Sequence, residues 1–257
     1  MNINSYLRET SAKLIVKDDE KEKIQKSINA FIDHIKHYFT HQEYFRILDV
    51  IVFGSYSRDT NLPRSIDEDS DVDIMVVFEK DGSTPQTYLN RIKRAVEYWY
   101  QSSEIKQSSP TIVLDMNHIK FEITPAVFEY GMYYIKNNDR WMPTHALEDF
   151  NYLSLANKNN KFDIKPIIRL IKYWNVNIDK KYCSSYEIEK AIVDYFLSGV
   201  YSSYDFKNKL LIAFESIIHL DKIDVPKAIR NLKEAISDET KYPSCAEDEI
   251  MKVIEKI

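Results

Sequence analysis

Apolar and polar positions along the chain separate into helical, strand-like and unpatterned stretches. Behind the acidic start Asp18-Asp19-Glu20, residues Ile24, Ile28, Phe31, Ile35 and Phe39 recur at intervals of three and four. This spacing predicts one long amphipathic helix, about 30 Å from end to end at ~1.5 Å per residue, with acids at the terminus whose dipole favours them. Residues 1 to 17 show no such period and are read as an irregular arm. Leu48-Asp49-Val50-Ile51-Val52-Phe53 is short, apolar and β-branched, the signature of a buried strand. A second strand follows in Asp71-Val72-Asp73-Ile74-Met75-Val76-Val77-Phe78. Residues two apart on a strand share a face, so Asp71 and Asp73 point one way and Val72, Ile74 and Val76 the other. Between the two, Asn61 to Asp69 is a loop whose acids Asp67, Glu68 and Asp69 read as solvated.

Pro85 to Ser102 carries Leu89, Ile92, Val96 and Trp99 at helical spacing, which predicts a helix packed on the sheet with Trp99 in the core. Thr111 to Asp115 and His118 to Thr124 predict a hairpin through Met116-Asn117. Its second strand sets His118, Lys120, Glu122 and Thr124 on a polar face opposite Ile119, Phe121 and Ile123. From Gly131 through Trp141-Met142-Pro143-Thr144-His145 the period fails and the chain is read as irregular. Thereafter it is helical, over 146–158, 163–178, 185–199, 203–220, 225–236 and 246–256.

Composition narrows the classes. A chain of 257 residues with 44% hydrophobic content builds a real core in one large or two small domains. With 40 acidic against 35 basic residues the net charge is -5, which argues against broad, stable binding of duplex nucleic acid but not against a local basic groove. Cys183 and Cys245 stand outside any ligand cluster, so no zinc is expected, and His37 and His41, four apart without a third ligand, read as solvated surface. The start has no apolar signal region and no window approaches the ~20 apolar residues of a membrane span, so the expectation is a cytoplasmic protein without a membrane partner. Four glycines leave little material for a dinucleotide-binding fingerprint.

The candidate chemistry lies in Gly54-Ser55-Tyr56-Ser57 and in Asp71 and Asp73. A Gly-Ser turn after a strand offers backbone N–H groups and a hydroxyl to phosphate oxygens. Two carboxylates side by side repel unless a cation lies between them, so the pair implies a divalent metal with oxygen ligands. Either feature alone is commonly a plain turn; together, in strand–turn–strand order, they point to phosphoryl transfer.

On these residues the chain resembles the DNA polymerase β-like nucleotidyltransferases and, more closely, the bacterial cGAS/DncV-like synthases of the SMODS type, relatives of oligoadenylate synthases. The resemblance spans roughly residues 20 to 220. It implies an α+β fold with a catalytic lobe over 1–135, containing a small mixed sheet, and a helical nucleotide-binding lobe over 136–257, with the long N-terminal helix as a spine. Phe121-Glu122-Ile123-Thr124-Pro125-Ala126 resembles the strand that supplies the family's third acid, normally Asp, which makes Glu122 a catalytic and metal-binding residue beside Asp71 and Asp73. The plain alternative is an exposed strand Glu.

Arg169-Leu170-Ile171-Lys172-Tyr173-Trp174 resembles the helix whose Lys reaches the donor triphosphate, with Arg169 supporting phosphate or tying the lobes together and Trp174 in the core. Ser185-Tyr186 resembles the pair whose hydroxyl meets phosphate and whose ring stacks on the base. The implied substrate-binding set is Gly54, Ser55, Lys172, Ser185 and Tyr186. The implied cofactor is a pair of Mg²⁺ ions, which Mn²⁺ can replace, and the implied substrates are nucleoside triphosphates, ATP or dATP first. The product would be a cyclic or linear oligonucleotide messenger of antiphage defence, read by an effector protein. Alternatives are nucleotidyl transfer onto protein or tRNA, and a non-catalytic nucleotide-binding subunit. The zinc-binding insertion of the animal DNA-sensing relatives is absent from the pattern.

Overall fold

The computed structural model describes residues 2–40, 42, 45–178, 183–221 and 223–257. Its helices in chain order are α1 (Ile3–Lys13), α2 (Asp18–Thr40), α3 (Gly54–Ser57), α4 (Pro85–Trp99), α5 (Glu148–Asn159), α6 (Ile164–Asn177), α7 (Ser185–Leu197), α8 (Phe206–Ser216), α9 (Asp224–Asp238) and α10 (Pro243–Met251). Its strands are β1 (Ile47–Phe53), β2 (Val72–Phe78), β3 (Glu104–Ser108), β4 (Thr111–Asp115), β5 (Lys120–Glu129), β6 (Met132–Asn137) and β7 (Arg140–Thr144). The chain divides into two compact units, one made of Val16–Arg58 with Glu68–Leu147, the other of Met1–Ile15, Asp59–Asp67 and Glu148–Ile257. This division departs from a cut after residue 135, which falls inside β6.

The first unit holds the seven-stranded sheet, ordered β1-β2-β5-β4-β3 with β6 on β5 and β7 on β6. The β2–β5 pair is parallel, and its register sets Asp73 opposite Glu122 and Val72 opposite Phe121. Helices α2 and α4 cover the sheet face formed by Val72, Ile74, Val76, Ile112, Leu114, Phe121 and Ile123. Phe31 of α2, fully buried, meets Phe121 with ring centroids 5.3 Å apart; burying such a ring is worth about 1.5–3 kcal/mol. On the opposite face Met75, Val77 and Ala126 form a smaller cluster. Polar positions on that face thus give way to apolar ones within a residue or two of Asp73 and Glu122. The long helix forms as its spacing predicts, burying Ile24, Ile28, Phe31, Ile35 and Phe39, and it belongs to the sheet unit.

Three stretches differ from the sequence expectation. The supposed arm is α1, capped by Asn2, whose side chain accepts from the Ser5 N–H at 3.0 Å. Its buried face, Ile3, Tyr6, Leu7, Thr10 and Ser11, contains two hydroxyl residues, which blurs the apolar stripe in the sequence. The supposedly irregular stretch after Gly131 is the β6–β7 hairpin. The β5–β6 turn uses left-handed backbone at Tyr130 and Gly131, and the β6–β7 turn uses it at Asn138. The strand pattern was hidden by Lys136, which is 2% exposed because its Nζ donates to the Asn138 carbonyl at 2.6 Å. Strand β3, polar apart from Ile105, is the third: it pairs with β4 alone and keeps its other side chains in solvent. Trp99 is half-buried rather than in the core, stacked on His34 with centroids 4.2 Å apart. His37 meets its edge, and His41 lies outside the described residues.

The second unit is helical, with Leu62, Ile167, Ile168, Ile171, Trp174, Ile188, Ile192, Phe206, Phe214 and Leu232 in one core. The six helical stretches read beyond residue 145 are α5 to α10. Among the described residues, no helix is long and apolar enough to cross a membrane.

Candidate active site

Strand β1 ends where Gly54 turns the chain into the single turn α3, at φ +72°, a region that L side chains avoid. The Gly54 carbonyl accepts from the Ser57 hydroxyl at 2.9 Å and from the Arg58 N–H at 3.3 Å. A Cβ placed on Gly54 would stand 1.8 Å from Asp73 Oδ2, so the absent side chain is the space the carboxylate occupies. Strand pairing produces this approach, because Phe53 is the register partner of Asp73. Half-buried Ser55 follows directly in the turn.

On the other side of β2, Glu122 is the register partner of Asp73 across the parallel ladder. Asp71, one residue before β2, lies near enough to Glu122 for the two carboxyl groups to act on each other. Burial pushes the Asp71 carboxyl from 3.8 up to about 8, aided by the charges of Asp73 and Glu122 and opposed by Lys120. Its side chain is 26% exposed, so the group stays reachable from solvent. Lys120 Nζ lies 3.9 Å from Asp71 and 3.7 Å from Asp69.

As the side chains stand, no three His, Cys, Asp or Glu among the described residues are gathered tightly enough to hold a metal ion. The Asp73 carboxylate instead fills the space above Gly54. The donor set nevertheless fits a hard divalent cation: three neighbouring carboxylates, one of them carrying a proton that a cation would displace, with neither Cys nor His among them.

In the helical unit, Lys172 on α6 is 4% exposed and donates to Glu189 Oε2 at 3.1 Å and to the Thr60 carbonyl at 3.1 Å. Thr60 also donates its hydroxyl to Glu189, at 2.5 Å. The ammonium expected to face a triphosphate is therefore engaged in a buried ion pair, and Glu189 on α7 is its counter-charge. Arg169 donates from Nη1 to the Asp59 carbonyl at 2.8 Å, and burial pulls its pKa down. These contacts fasten segment Asp59–Asp67 within the helical unit.

Ser185 opens α7 behind its cap: Ser184 accepts from the Glu187 N–H, and Glu187 accepts from the Ser184 N–H, a reciprocal box that fixes the helix start. Ser185 is half-buried and Tyr186 is 50% exposed. The structure thus groups Gly54, Ser55, Asp71, Asp73 and Glu122 in the sheet unit and carries Lys172, Ser185 and Tyr186 on helices α6 and α7 of the helical unit. Sequence reasoning missed Lys120, Thr60 and Glu189 as partners. The signal for Lys120 was its place two residues before Glu122, on the same strand face.

Residues 1–157 match the family model of the second messenger oligonucleotide or dinucleotide synthetase domain. A probable cyclic nucleotide synthase of Bacillus cereus (strain VD146) is 29% identical over 194 residues, 60% of this chain and 57% of that protein. A CCA-adding enzyme of Methanococcus maripaludis is 24% identical over an alignment covering 93% of this chain and 58% of that protein. The chain accordingly spans less than 60% of the length of either curated relative. In fold it is similar to the Escherichia coli MS115-1 CdnC structure with ATP, with a TM-score of 0.77 at 11% identity over 98% of both chains.

Proposed function

From a chain that belongs to the second messenger oligonucleotide or dinucleotide synthetase family, we propose a metal-dependent nucleotidyltransferase that links nucleoside triphosphates into a cyclic or linear oligonucleotide messenger, acting in the cytoplasm in antiphage defence. The observation that carries this reading is the meeting of Asp71, Asp73 and Glu122 beside the Gly54 turn. Divalent cations bound there, Mg²⁺ or Mn²⁺, would supply charge neutralisation for the reacting phosphate and acidify the attacking hydroxyl.

The chain's own residues then have distinct tasks. Asp71 and Asp73 provide carboxylate oxygens, and Asp71 gives up its proton in doing so. Glu122 accepts the proton of the attacking sugar hydroxyl as its oxygen bonds to the α-phosphorus of the donor and pyrophosphate leaves from the opposite side. Ser55 and the N–H groups of the turn bind the terminal phosphates, and Gly54 lets the Asp73 carboxylate come up against that turn. Tyr186 offers an exposed ring to a base and Ser185 a hydroxyl to phosphate. Lys172 reaches a donor phosphate only by leaving Glu189; otherwise its contribution is to hold Thr60 and Glu189 in place. ATP is the first donor to test, since the structurally similar CdnC was solved with ATP. An effector protein that binds the product completes the proposed pathway.

Incubating the purified protein with labelled ATP, GTP, CTP, UTP and their deoxy forms, singly and in pairs, with Mg²⁺ or Mn²⁺, and identifying products by mass, tests this. A cyclic or linear oligonucleotide that vanishes in Asp73→Asn supports it. The likeness to the CCA-adding enzyme favours a second reading, nucleotide addition to a tRNA end. Label incorporated into added tRNA, with no free oligonucleotide, supports that instead. Nucleotide binding without any product points to a non-catalytic subunit.

A further inference from the structure

Lys120 stands at the first position of β5, on the polar face shared with Glu122, and its side chain is only 15% exposed. Its ammonium is 3.9 Å from Asp71 and 3.7 Å from Asp69. Both distances exceed hydrogen-bond length, so the cation is held by charge and not by a short directional bond. Such an ammonium lies beside a cluster of carboxyl groups with no short bond to fix it there. The lysine stem is long enough to swing, and Asp69, 79% exposed, offers the displaced ammonium a partner in solvent.

We propose that Lys120 is a resident counter-cation of the acid site: it compensates Asp71 and its neighbours when no divalent ion is bound, shifts towards Asp69 when one binds, and thereby sets the metal affinity. This inference rests on the metal-dependent reading of the same carboxylates. It gives Lys120 a positioning role, since the residue acts on the reaction only through the arrangement of the acids.

The physical consequence is a competition. A divalent ion entering beside Asp71 meets the like charge of Lys120, and part of its binding free energy goes into moving that charge outward. Removing the charge while keeping the stem should therefore tighten metal binding, whereas moving it onto a guanidinium should not.

Mn²⁺ binding can be read directly from the loss of the free-ion electron paramagnetic resonance signal, at pH 9 and without nucleotide, for wild type, Lys120→Met, Lys120→Arg and Asp73→Asn. The expected result is about tenfold tighter binding in Lys120→Met, a wild-type Kd in Lys120→Arg, and weakened binding in Asp73→Asn. In thermal melts, metal-free Lys120→Met should unfold earlier than wild type and gain more from saturating Mn²⁺. Equal or weaker Mn²⁺ binding in Lys120→Met, in a variant that still melts cooperatively, overturns the role of Lys120 while leaving the metal site standing. Absence of Mn²⁺ binding in wild type overturns the metal-dependent reading itself, and this inference with it.

Discussion

Gly54 and Asp73 occupy one another's space: the position a Cβ would take on Gly54 is 1.8 Å from the Asp73 carboxylate. The glycine is thus fixed by two independent constraints, its φ of +72° and the carboxylate above it. Gly54→Ala should destabilise the protein by about 1–3 kcal/mol from backbone strain alone and move Asp73 out of place. Nucleotide transfer should fall at least about a hundredfold, the scale expected for an ångström misplacement. A double-mutant cycle with Asp73→Ala, read by chemical denaturation, checks the cause: the second substitution should recover the part of the loss that is collision.

Asp71 makes the metal-free protein sensitive to pH. Its folded-state pKa of about 8 lies above its ordinary 3.8, so between those values the folded protein holds a proton that the unfolded chain releases. Its contribution to stability is complete below about pH 4, declines as pH rises, and is gone above about pH 8. Melting temperatures of wild type minus Asp71→Asn in chelator, across that window, should show this slope, and a saturating divalent cation should remove it. The Asn variant should be as stable as wild type at pH 8 or more so, and inactive. Full activity at saturating metal would eliminate Asp71 as a ligand.

Glu122 distinguishes charge from length. Glu122→Gln should lower kcat by a factor of about 10²–10⁴ while leaving the nucleotide Kd nearly unchanged, if it takes the hydroxyl proton. Glu122→Asp should retain much of the activity. Single-turnover rates and equilibrium nucleotide binding separate the two quantities, and an unimpaired Gln variant reduces the site to two acids.

Lys172 and Glu189 are both about 95% buried and paired at 3.1 Å. Truncating the lysine leaves a buried carboxylate, which typically costs about 3–5 kcal/mol. Lys172→Ala should therefore lower the melting temperature sharply, and Lys172→Met with Glu189→Gln together should lower it less. A Lys172→Ala protein of undiminished stability but raised donor KM would instead free the lysine for phosphate.

Tyr186 projects a half-exposed ring at the start of α7. If bases stack there, Tyr186→Phe should keep its donor affinity and Tyr186→Ala should lose about 1–3 kcal/mol, a five- to hundredfold rise in Kd. Fluorescence titration with an ATP analogue decides it, and equal affinities would place the base elsewhere.

By itself the sequence determined the elements whose local pattern and tertiary environment agree. The five apolar residues of α2 state the buried face of the helix directly, and the apolar run from Ile74 to Phe78 marks β2 as a strand buried on both faces. The acid pair was legible too: strand geometry alone sets Asp71 and Asp73 on one side. What only the tertiary structure decided lies where burial is polar or where distant residues meet. Thr10 and Ser11 in the buried face of α1, and Lys136 inside the β6–β7 hairpin, look like solvent positions until their partners are in place. Lys172, read from the sequence as a ligand of the donor triphosphate, is enclosed by Glu189 and Thr60 in the folded chain. The register that sets Glu122 beside Asp73, the elevated proton affinity of Asp71, and the nearness of Lys120 all come from strands about 50 residues apart in the chain. Periodicity records the average polarity of an element's face, whereas charge pairing depends on which particular atoms approach, and only the folded chain sets those distances.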